Sequence, residues 1–295
     1  MGNPTIFVIG GPTASGKTEI AIELAKKHKT EVVSFDSRQL YRELLIGVAR
    51  PTAEELSAVS HYGIASHSIH QSLSAGDYSK EYRPVVQSLL TNHGTAVLVG
   101  GTGLYLQHLL FDLDEIPNLD PELRDTINQW HESNGLSDLI NRLLQLDKDA
   151  GNKIDLHNPA RVKRALELCM SAGKPLGQIL QGQKEYYFKG ADIRYIGIQW
   201  VREELYQRVN LRVDAMMDLG LLHEVESLVP FAHLPVLKTV GYTELFDYLT
   251  GTTSFTDAVD KIKQHTRNYA KRQITYFNRQ FSTEWLKKDA IIDRY

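Results

Sequence analysis

The chain has 295 residues, room for one large α/β domain or two modest ones around a sizeable core. Its 33 Lys/Arg and 36 Asp/Glu give a formal net charge of −3, which excludes a histone-like polybasic chain but not an enzyme that gathers its basic residues in one place. Hydrophobic residues at 42% and charged residues at 23% are the proportions of an ordered protein, and the single cysteine, Cys169, excludes an internal disulfide framework and a Cys-based zinc finger.

The opening Met1-Gly2-Asn3-Pro4 carries no basic region ahead of an apolar stretch of signal-peptide length, and no apolar run approaches the ~20 residues that span a bilayer. A soluble, cytoplasmic protein without a membrane partner is expected. Thr5-Ile6-Phe7-Val8-Ile9 is β-rich and continuously apolar, the pattern of a strand buried on both faces. Gly10 and then Gly11-Pro12-Thr13-Ala14-Ser15-Gly16-Lys17-Thr18 follow, and Ile20, Ala21, Leu24 and Ala25 recur at helical spacing. Strand, glycine-rich loop and helix form the context that a G-x-x-x-x-G-K-[ST] phosphate loop requires. Gly11 and Gly16 let successive N–H groups face a phosphate, the helix N-terminus adds its dipole, Lys17 adds charge, and the Thr18 hydroxyl can reach Mg²⁺.

A second strand, Glu31-Val32-Val33-Ser34-Phe35, ends at Asp36-Ser37-Arg38-Gln39, and a third, Ala96-Val97-Leu98-Val99, ends at Gly100-Gly101-Thr102-Gly103. Ligands of open parallel sheets sit beyond the carboxyl ends of the strands, so Asp36, Thr102 and the phosphate loop should meet in one crevice. Read alone, Asp36 is equally a helix N-cap or a catalytic carboxylate, and the glycine run is more simply a tight turn. No strand ending in Asp supplies the Mg²⁺ ligand usual in nucleotide-hydrolysing phosphate-loop proteins, which counts against an ATP motor or a switch GTPase.

Residues 117–189 are polar and helical, with breaks at Gly135, Gly151, Pro159 and Gly173, and read as a helical insertion. A helix opens after Pro159, with Arg161 and Arg164 on one side; a solvated face is its plain reading. A strand returns at 192–200, followed by a helix over 203–219 closed by Gly220. Its Arg208 and Arg212, four residues apart, can point at one anion. Residues 261–279 hold six Lys/Arg and no acid, so taking those six charges away brings the rest of the chain from −3 to −9. On a helix, Lys263, Arg267 and Lys271 form one stripe and Lys261, Arg272 and Arg279 another, with Tyr269, Tyr276 and Phe277 between them. A solvated amphipathic helix with core aromatics is one reading; contact with a phosphate backbone and unstacked bases is the other. His61, His67 and His70 lack an acidic or Cys partner at ligand spacing and read as surface or loop residues.

The motifs GPTASGKT from Gly11, DSRQLY from Asp36, IGVARPT from Ile46, GGTGLYL from Gly100, ARVKRALEL from Ala160 and NYAKRQITYF from Asn268 occur in order. Together, and over nearly the whole chain, they resemble the bacterial tRNA dimethylallyltransferases. The resemblance implies transfer of a dimethylallyl group from its pyrophosphate to N6 of the adenosine 3′ of the anticodon. The implied fold is α/β: a parallel-sheet core like that of phosphate-loop NTPases, helices on both faces, and a helical insertion domain. Residues 1–118 and 190–295 would form the catalytic core, and residues 119–189 would contact the anticodon arm.

In that frame Asp36 is the general base, Arg212 (with Arg208 as the other candidate) the pyrophosphate arginine, and Thr102 lies where the reactants meet. Ser37, Arg38 and Gln39 would touch the tRNA. Arg124, Ala160, Arg161, Val162, Lys163 and Arg164, with Lys263, Arg267, Lys271 and Arg272 of the tail, would grip the anticodon stem-loop. Mg²⁺ near Thr18 is the expected cofactor, dimethylallyl pyrophosphate and tRNA the expected partners, and a monomer the expected state. The chain departs from the family pattern at His157-Asn158-Pro159-Ala160-Arg161, where members often have Asn-Asp-Pro-Gln-Arg, and at Leu237-Lys238-Thr239-Val240-Gly241-Tyr242-Thr243-Glu244. An adenylate isopentenyltransferase acting on free AMP, ADP or ATP would have no use for the insertion and basic tail. A small-molecule kinase with ATP in the loop leaves the tail charge unexplained, and a non-catalytic RNA-binding module leaves Asp36 beside an intact phosphate loop without a role.

Overall fold

A computed structural model describes residues 3–71, 73–114, 116, 120–182 and 184–295. Pro117 and Leu119, where the sequence starts the insertion and its domain, lie outside the described residues, as do Met1 and Gly2. The chain divides into two compact units, one made of the chain up to Leu110 together with Phe188–Tyr295, the other of Phe111–Tyr187.

The first unit is organised by strand β1 (Thr5–Gly10), in which Ile6, Val8 and Ile9 are wholly shielded from solvent. Such a strand must be covered on both faces, and it is the inner strand of a parallel sheet. In chain order come α1 (Lys17–Lys27), β2 (Val32–Ser34), α2 (Ala53–Ala58), β3 (His61–Tyr62), α3 (Ala75–His93), β4 (Thr95–Gly100) and α4 (Gly103–Leu110). The second unit contributes β5 (Phe111–Leu113), α5 (Pro121–Leu146), α6 (Pro159–Ala172), α7 (Leu176–Ile179) and β6 (Lys184–Tyr186). The first unit then resumes with β7 (Asp192–Ile198), α8 (Arg202–Asp218), α9 (Leu221–Ser227), α10 (Tyr242–Leu249), α11 (Phe255–Gln280), β8 (Glu284–Leu286) and α12 (Lys288–Arg294).

The six-stranded sheet has the order β3-β2-β4-β1-β7-β8, and every pairing in it is parallel. Register matters for function: Gly10 of β1 pairs with Gly100 of β4 and Gly197 of β7, so β1 and β4 end level and β7 one residue beyond them. Their C-terminal ends give a floor without side chains beyond which a ligand can sit. Helix α11 lays Ile262, Ala270, Gln273 and Phe277 inward. A Cβ on Gly10 would fall 2.1 Å from the Phe277 ring, so the helix packs directly on the strand end.

The second unit has its own core, with Ile127, Leu139 and Leu143 from α5 packed on Val162, Ala165, Leu166 and Cys169 from α6. It opens and closes with an antiparallel ribbon, Phe111 opposite Tyr186 and Leu113 opposite Lys184. The unit so closed runs from Phe111 to Tyr187. Gly220, expected to close the helix over 203–219, takes the left-handed conformation (φ 96°) directly after α8 and starts α9.

Candidate active site

The phosphate loop curls as its glycines demand: Gly11 and Gly16 have φ of 128° and 91°, backbone states that other residues avoid. Side chains hold that curl from several directions. The Gln273 carboxamide accepts the Thr13 amide hydrogen at 2.8 Å, Trp200 Nε1 donates to the Ser15 carbonyl at 3.0 Å, and Arg208 Nε donates to the Ala14 carbonyl at 2.8 Å. Inside the loop, Ser15 Oγ and Lys17 Nζ donate to the Pro12 carbonyl at 2.9 and 2.5 Å. The Pro12, Ala14 and Ser15 carbonyls are thus occupied, and apart from the Thr13 amide, which Gln273 holds, the loop N–H groups suit an anion.

A cavity of about 740 Å³ opens over this loop, lined by Thr13 through Thr18, by Asp36, Ser37, Arg38 and Gln39, and by Arg208 and Arg212 of α8. Burial first and the nearby Arg212 second lower the Lys17 ammonium to a pKa of about 7, against the upward pull of Asp36. Burial likewise lowers the Arg212 guanidinium, and Asp36 is the leading opposing influence. Two cations without a full complement of counter-charge make a site that gains stability when an anion enters.

The two arginines divide the work. Arg208 is spent on the Ala14 carbonyl, with its guanidinium 4.4 Å from the Trp200 ring centre, so it shapes the loop. Arg212 is half-buried in the wall of the same cavity.

Asp36 stands at the end of β2. No α-helix follows it; Oδ1 accepts the Arg38 amide at 2.9 Å and closes a turn, a local bond that short carboxylates form readily. Thr102 Oγ1 accepts the Ser37 amide at 3.1 Å and donates to Ser37 Oγ at 3.2 Å, and it also hydrogen-bonds the Tyr269 hydroxyl. A hydroxyl so occupied braces the strip carrying Asp36. Tyr269 lines the cavity with its hydroxyl pushed up to about 12, by burial first and then by Asp36. The glycine run after β4 has a packing reason: a Cβ on Gly101 would lie 2.0 Å from Gln273 Nε2, which donates to the Gly101 carbonyl at 3.0 Å.

Several residues read as RNA contacts have internal partners. Gln39 Nε2 donates to the Val48 and Ala49 carbonyls at 3.3 and 3.0 Å. Lys263 pairs with Asp214 at 2.6 Å, and Arg267 donates to Asn210 at 2.6 Å, so this stripe of α11 docks on α8. Lys271 and Arg272 are exposed. Of the tail aromatics, Phe277 is core and Tyr276 donates to Gln107 at 2.8 Å.

In the second unit Arg124 and Arg164 both engage the buried Glu167, at 3.0 and 3.1 Å, and Lys163 donates to Asn128 at 2.9 Å. Val162 is corrected outright: its side chain is wholly buried in that unit's core, because it falls on the inner face of α6. Ala160 and Arg161 are exposed at the start of α6, where Asn158 caps both their amides.

Sequence reasoning missed Gln273 and Trp200. The only signal for Gln273 was a polar residue at a helix position where Ala270 and Phe277 face inward; Trp200 had none. For Mg²⁺, the described residues contain no cluster of three His, Cys, Asp or Glu side chains able to hold a metal. The cavity offers the Thr18 hydroxyl beside the loop, which fits an ion that takes most of its ligands from phosphate oxygens and water. Among the described residues no helix is long and apolar enough to cross a membrane.

Loop, lysine, half-buried arginine and strand-end carboxylate around one cavity define a phosphate-loop α/β protein. The IPP transferase family model matches residues 39–280. Tested against known proteins, the chain is 43% identical to tRNA dimethylallyltransferase 1 of Bacteroides thetaiotaomicron, over 96% of this chain and 91% of the relative. It is 39% identical to the tRNA dimethylallyltransferase of Cytophaga hutchinsonii, over 99% and 95%. The crystal structure of a tRNA delta(2)-isopentenylpyrophosphate transferase from Staphylococcus epidermidis superposes with a TM-score of 0.69 at 36% identity, covering 97% of this chain and 94% of that one. A eukaryotic dimethylallyltransferase acting on tRNA shares the fold with a TM-score of 0.80 at 24% identity, over 96% and 74%. The chain belongs to the IPP transferase family.

Proposed function

We propose that this chain transfers a dimethylallyl group from dimethylallyl pyrophosphate to N6 of the adenosine 3′ of the anticodon in tRNA, acting as a monomer in the cytoplasm. The observation that carries the reading is the convergence of Lys17, Arg212 and Asp36 on one cavity, two cations at a phosphate cradle together with a carboxylate. The relatives at 43% and 39% identity bear the names of the tRNA and the dimethylallyl chemistry, which supports the substrate pair.

The bond between allylic C1 and the bridging oxygen breaks, and its electron pair leaves with pyrophosphate. Loop N–H groups, Lys17 and Arg212 stabilise the charge that develops there. The N6 lone pair of adenine, weakened by delocalisation into the ring, forms the new C–N bond, and the N6 proton passes to Asp36. Mg²⁺ would be held by Thr18 and pyrophosphate oxygens, where it supplies further neutralisation of the leaving group. Thr102 and Ser37 keep the Asp36 strip in place. Ser37 and Arg38 at the cavity, the exposed Lys271 and Arg272, and Arg161 with the rest of the 119–189 region contact the flipped-out adenosine and the anticodon arm.

The test is a label-transfer assay with purified protein, Mg²⁺, labelled dimethylallyl pyrophosphate, and either unmodified tRNA or AMP, with ATP added in a parallel reaction. Label in tRNA alone is the expected outcome. Label in AMP moves the chain to the cytokinin-forming branch, and ATP consumption with no transfer overturns the reading in favour of a kinase.

A further inference from the structure

Leu45, Ile46 and Gly47 lie outside regular secondary structure, yet their three consecutive amides converge on one carboxylate. Glu224 of α9 accepts from Leu45 and Ile46 at 3.2 and 2.7 Å through Oε2, and from Gly47 at 3.1 Å through Oε1. Consecutive N–H groups arranged in this way form an anion nest, and here the anion is the protein's own side chain. The wholly buried Tyr242 of α10 donates its hydroxyl to Glu224 Oε1 at 2.6 Å. The fit is close: a Cβ on Gly47 would lie 2.6 Å from the Tyr242 ring.

The carbonyl side of the same loop is tied down separately. Gln39 holds the Val48 and Ala49 carbonyls, and the Arg50 guanidinium donates to the carbonyls of Tyr41, Arg42 and Leu44. Ser34 Oγ donates to Gln39 Oε1 at 3.3 Å and accepts the Asp36 amide at 3.3 Å. A continuous set of bonds therefore runs from Glu224 through the loop and Gln39 to the residue that carries the proposed base. Residues 47–51, so held, line the cavity. The phosphate loop is braced by a different set, Gln273, Trp200 and Arg208. One cavity thus has two walls with separate supports.

We propose that Glu224 and Tyr242 are positioning residues for the acceptor side of the cavity, holding the 45–47 turn and with it the 47–51 wall that receives the adenosine while leaving the pyrophosphate cradle unaffected. The inference rests on the prenyl-transfer reading above, and binding measurements separate its failure from the failure of that reading.

The experiment compares wild type, Glu224→Ala, Glu224→Gln and Tyr242→Phe. The readouts are amide hydrogen exchange at residues 45–47, the Kd for an unmodified anticodon stem-loop RNA, and the Kd for inorganic pyrophosphate. In Glu224→Ala, exchange at the three amides should quicken and the RNA Kd should weaken about tenfold, the scale of one lost charge-assisted hydrogen bond, with the pyrophosphate Kd unchanged. Glu224→Gln, which keeps an acceptor oxygen, and Tyr242→Phe should shift the same two readouts less. They also decide the matter if Glu224→Ala fails to fold. Unchanged exchange, an unchanged RNA Kd, or equal weakening toward RNA and pyrophosphate overturns the proposal. A wild type that binds RNA and pyrophosphate but transfers no label overturns the prenyl-transfer reading instead, and the ratio of the two Kd shifts still judges Glu224.

Discussion

Gln273 of α11 accepts the Thr13 amide hydrogen at 2.8 Å, so a residue 260 positions away in the chain fixes the first turn of the phosphate loop. Its other end donates to the Gly101 carbonyl, which ties the loop after β1 to the turn after β4. Gln273→Leu keeps the apolar packing but strands a buried donor and acceptor, at a cost of about 2–4 kcal/mol. Urea unfolding should give a lower midpoint with an unchanged slope, and pyrophosphate affinity should fall with it. A variant that loses stability but binds pyrophosphate normally would mean that the loop holds its curl without this bridge.

Lys17 makes the site's binding depend on pH in a defined direction. Burial first, and Arg212 second, bring its pKa from 10.5 to about 7 in the free protein. Above pH 7 the folded protein has shed a proton that the unfolded chain retains up to about 10.5, so the Lys17 contribution to stability rises with pH across that window and is an unrelieved cost below it. Pyrophosphate requires the charged form, so binding above pH 7 takes up a proton and its Kd should weaken with rising pH. Lys17→Met should flatten that dependence, weaken pyrophosphate binding, and raise the melting temperature at pH 6. Proton uptake measured by calorimetry in buffers of different ionisation enthalpy checks the first statement directly.

Arg208 and Arg212, one helical turn apart on α8, should separate cleanly by experiment. Arg212→Ala removes a cavity-lining cation, the one proposed to face the leaving group, and should lower kcat by about 10²–10³-fold, the usual scale for one preorganised charge-stabilising group. Arg208→Ala removes a bond to Ala14 and the stack on Trp200, so it should change tryptophan fluorescence and pyrophosphate affinity before it changes the chemical step. Single-turnover kinetics with saturating pyrophosphate donor distinguish the two. Equal effects in both assays would remove the distinction.

Much of the catalytic unit was legible in the sequence because it rests on local rules. A strand buried on both faces, a glycine-rich loop and a helix each leave a pattern within a dozen residues, and β1, the loop and α1 followed it. The edge strands β3 and β8 have two and three residues and exist through pairing alone, which no local pattern records. The β5–β6 ribbon joins residues about seventy positions apart, and Phe111-Asp112-Leu113 has no turn signal to separate it from α4. The basic residues were legible as charge but not as partners. Lys263 and Arg267 look like a phosphate stripe until α8 brings Asp214 and Asn210 against them, and Glu167 does the same to Arg124 and Arg164.

Asp36→Asn isolates the proton-accepting role. The amide oxygen can still accept from Arg38 and keep the turn, so the strip should hold its shape while the side chain loses its basicity. Transfer should slow by about 10²–10⁴-fold, the range for loss of a general base, with tRNA affinity within a factor of about two. Quench-flow with labelled donor measures the first and a binding titration the second. Lost RNA binding with normal turnover per bound complex would take the base role from Asp36.

Four basic residues of α11 give a further test, because burial divides them into two pairs. Lys271 and Arg272 are exposed, whereas Lys263 and Arg267 hold α8. Charge reversal at Lys271 and Arg272 should raise the KM for tRNA and flatten the slope of log K against log salt by roughly two contacts' worth, since each phosphate contact releases counterions. The melting temperature should move little, because both are exposed and Arg272 meets the Tyr269 ring only at 5.8 Å from its centre. Reversal at Lys263 and Arg267 sets like charges against Asp214 and breaks the bond to Asn210, so it should lower the melting temperature first and affect RNA affinity only through that loss. If instead both pairs change the salt slope alike with unchanged stability, the docking of α11 on α8 gives way to RNA in the complex, and all four residues belong to the grip.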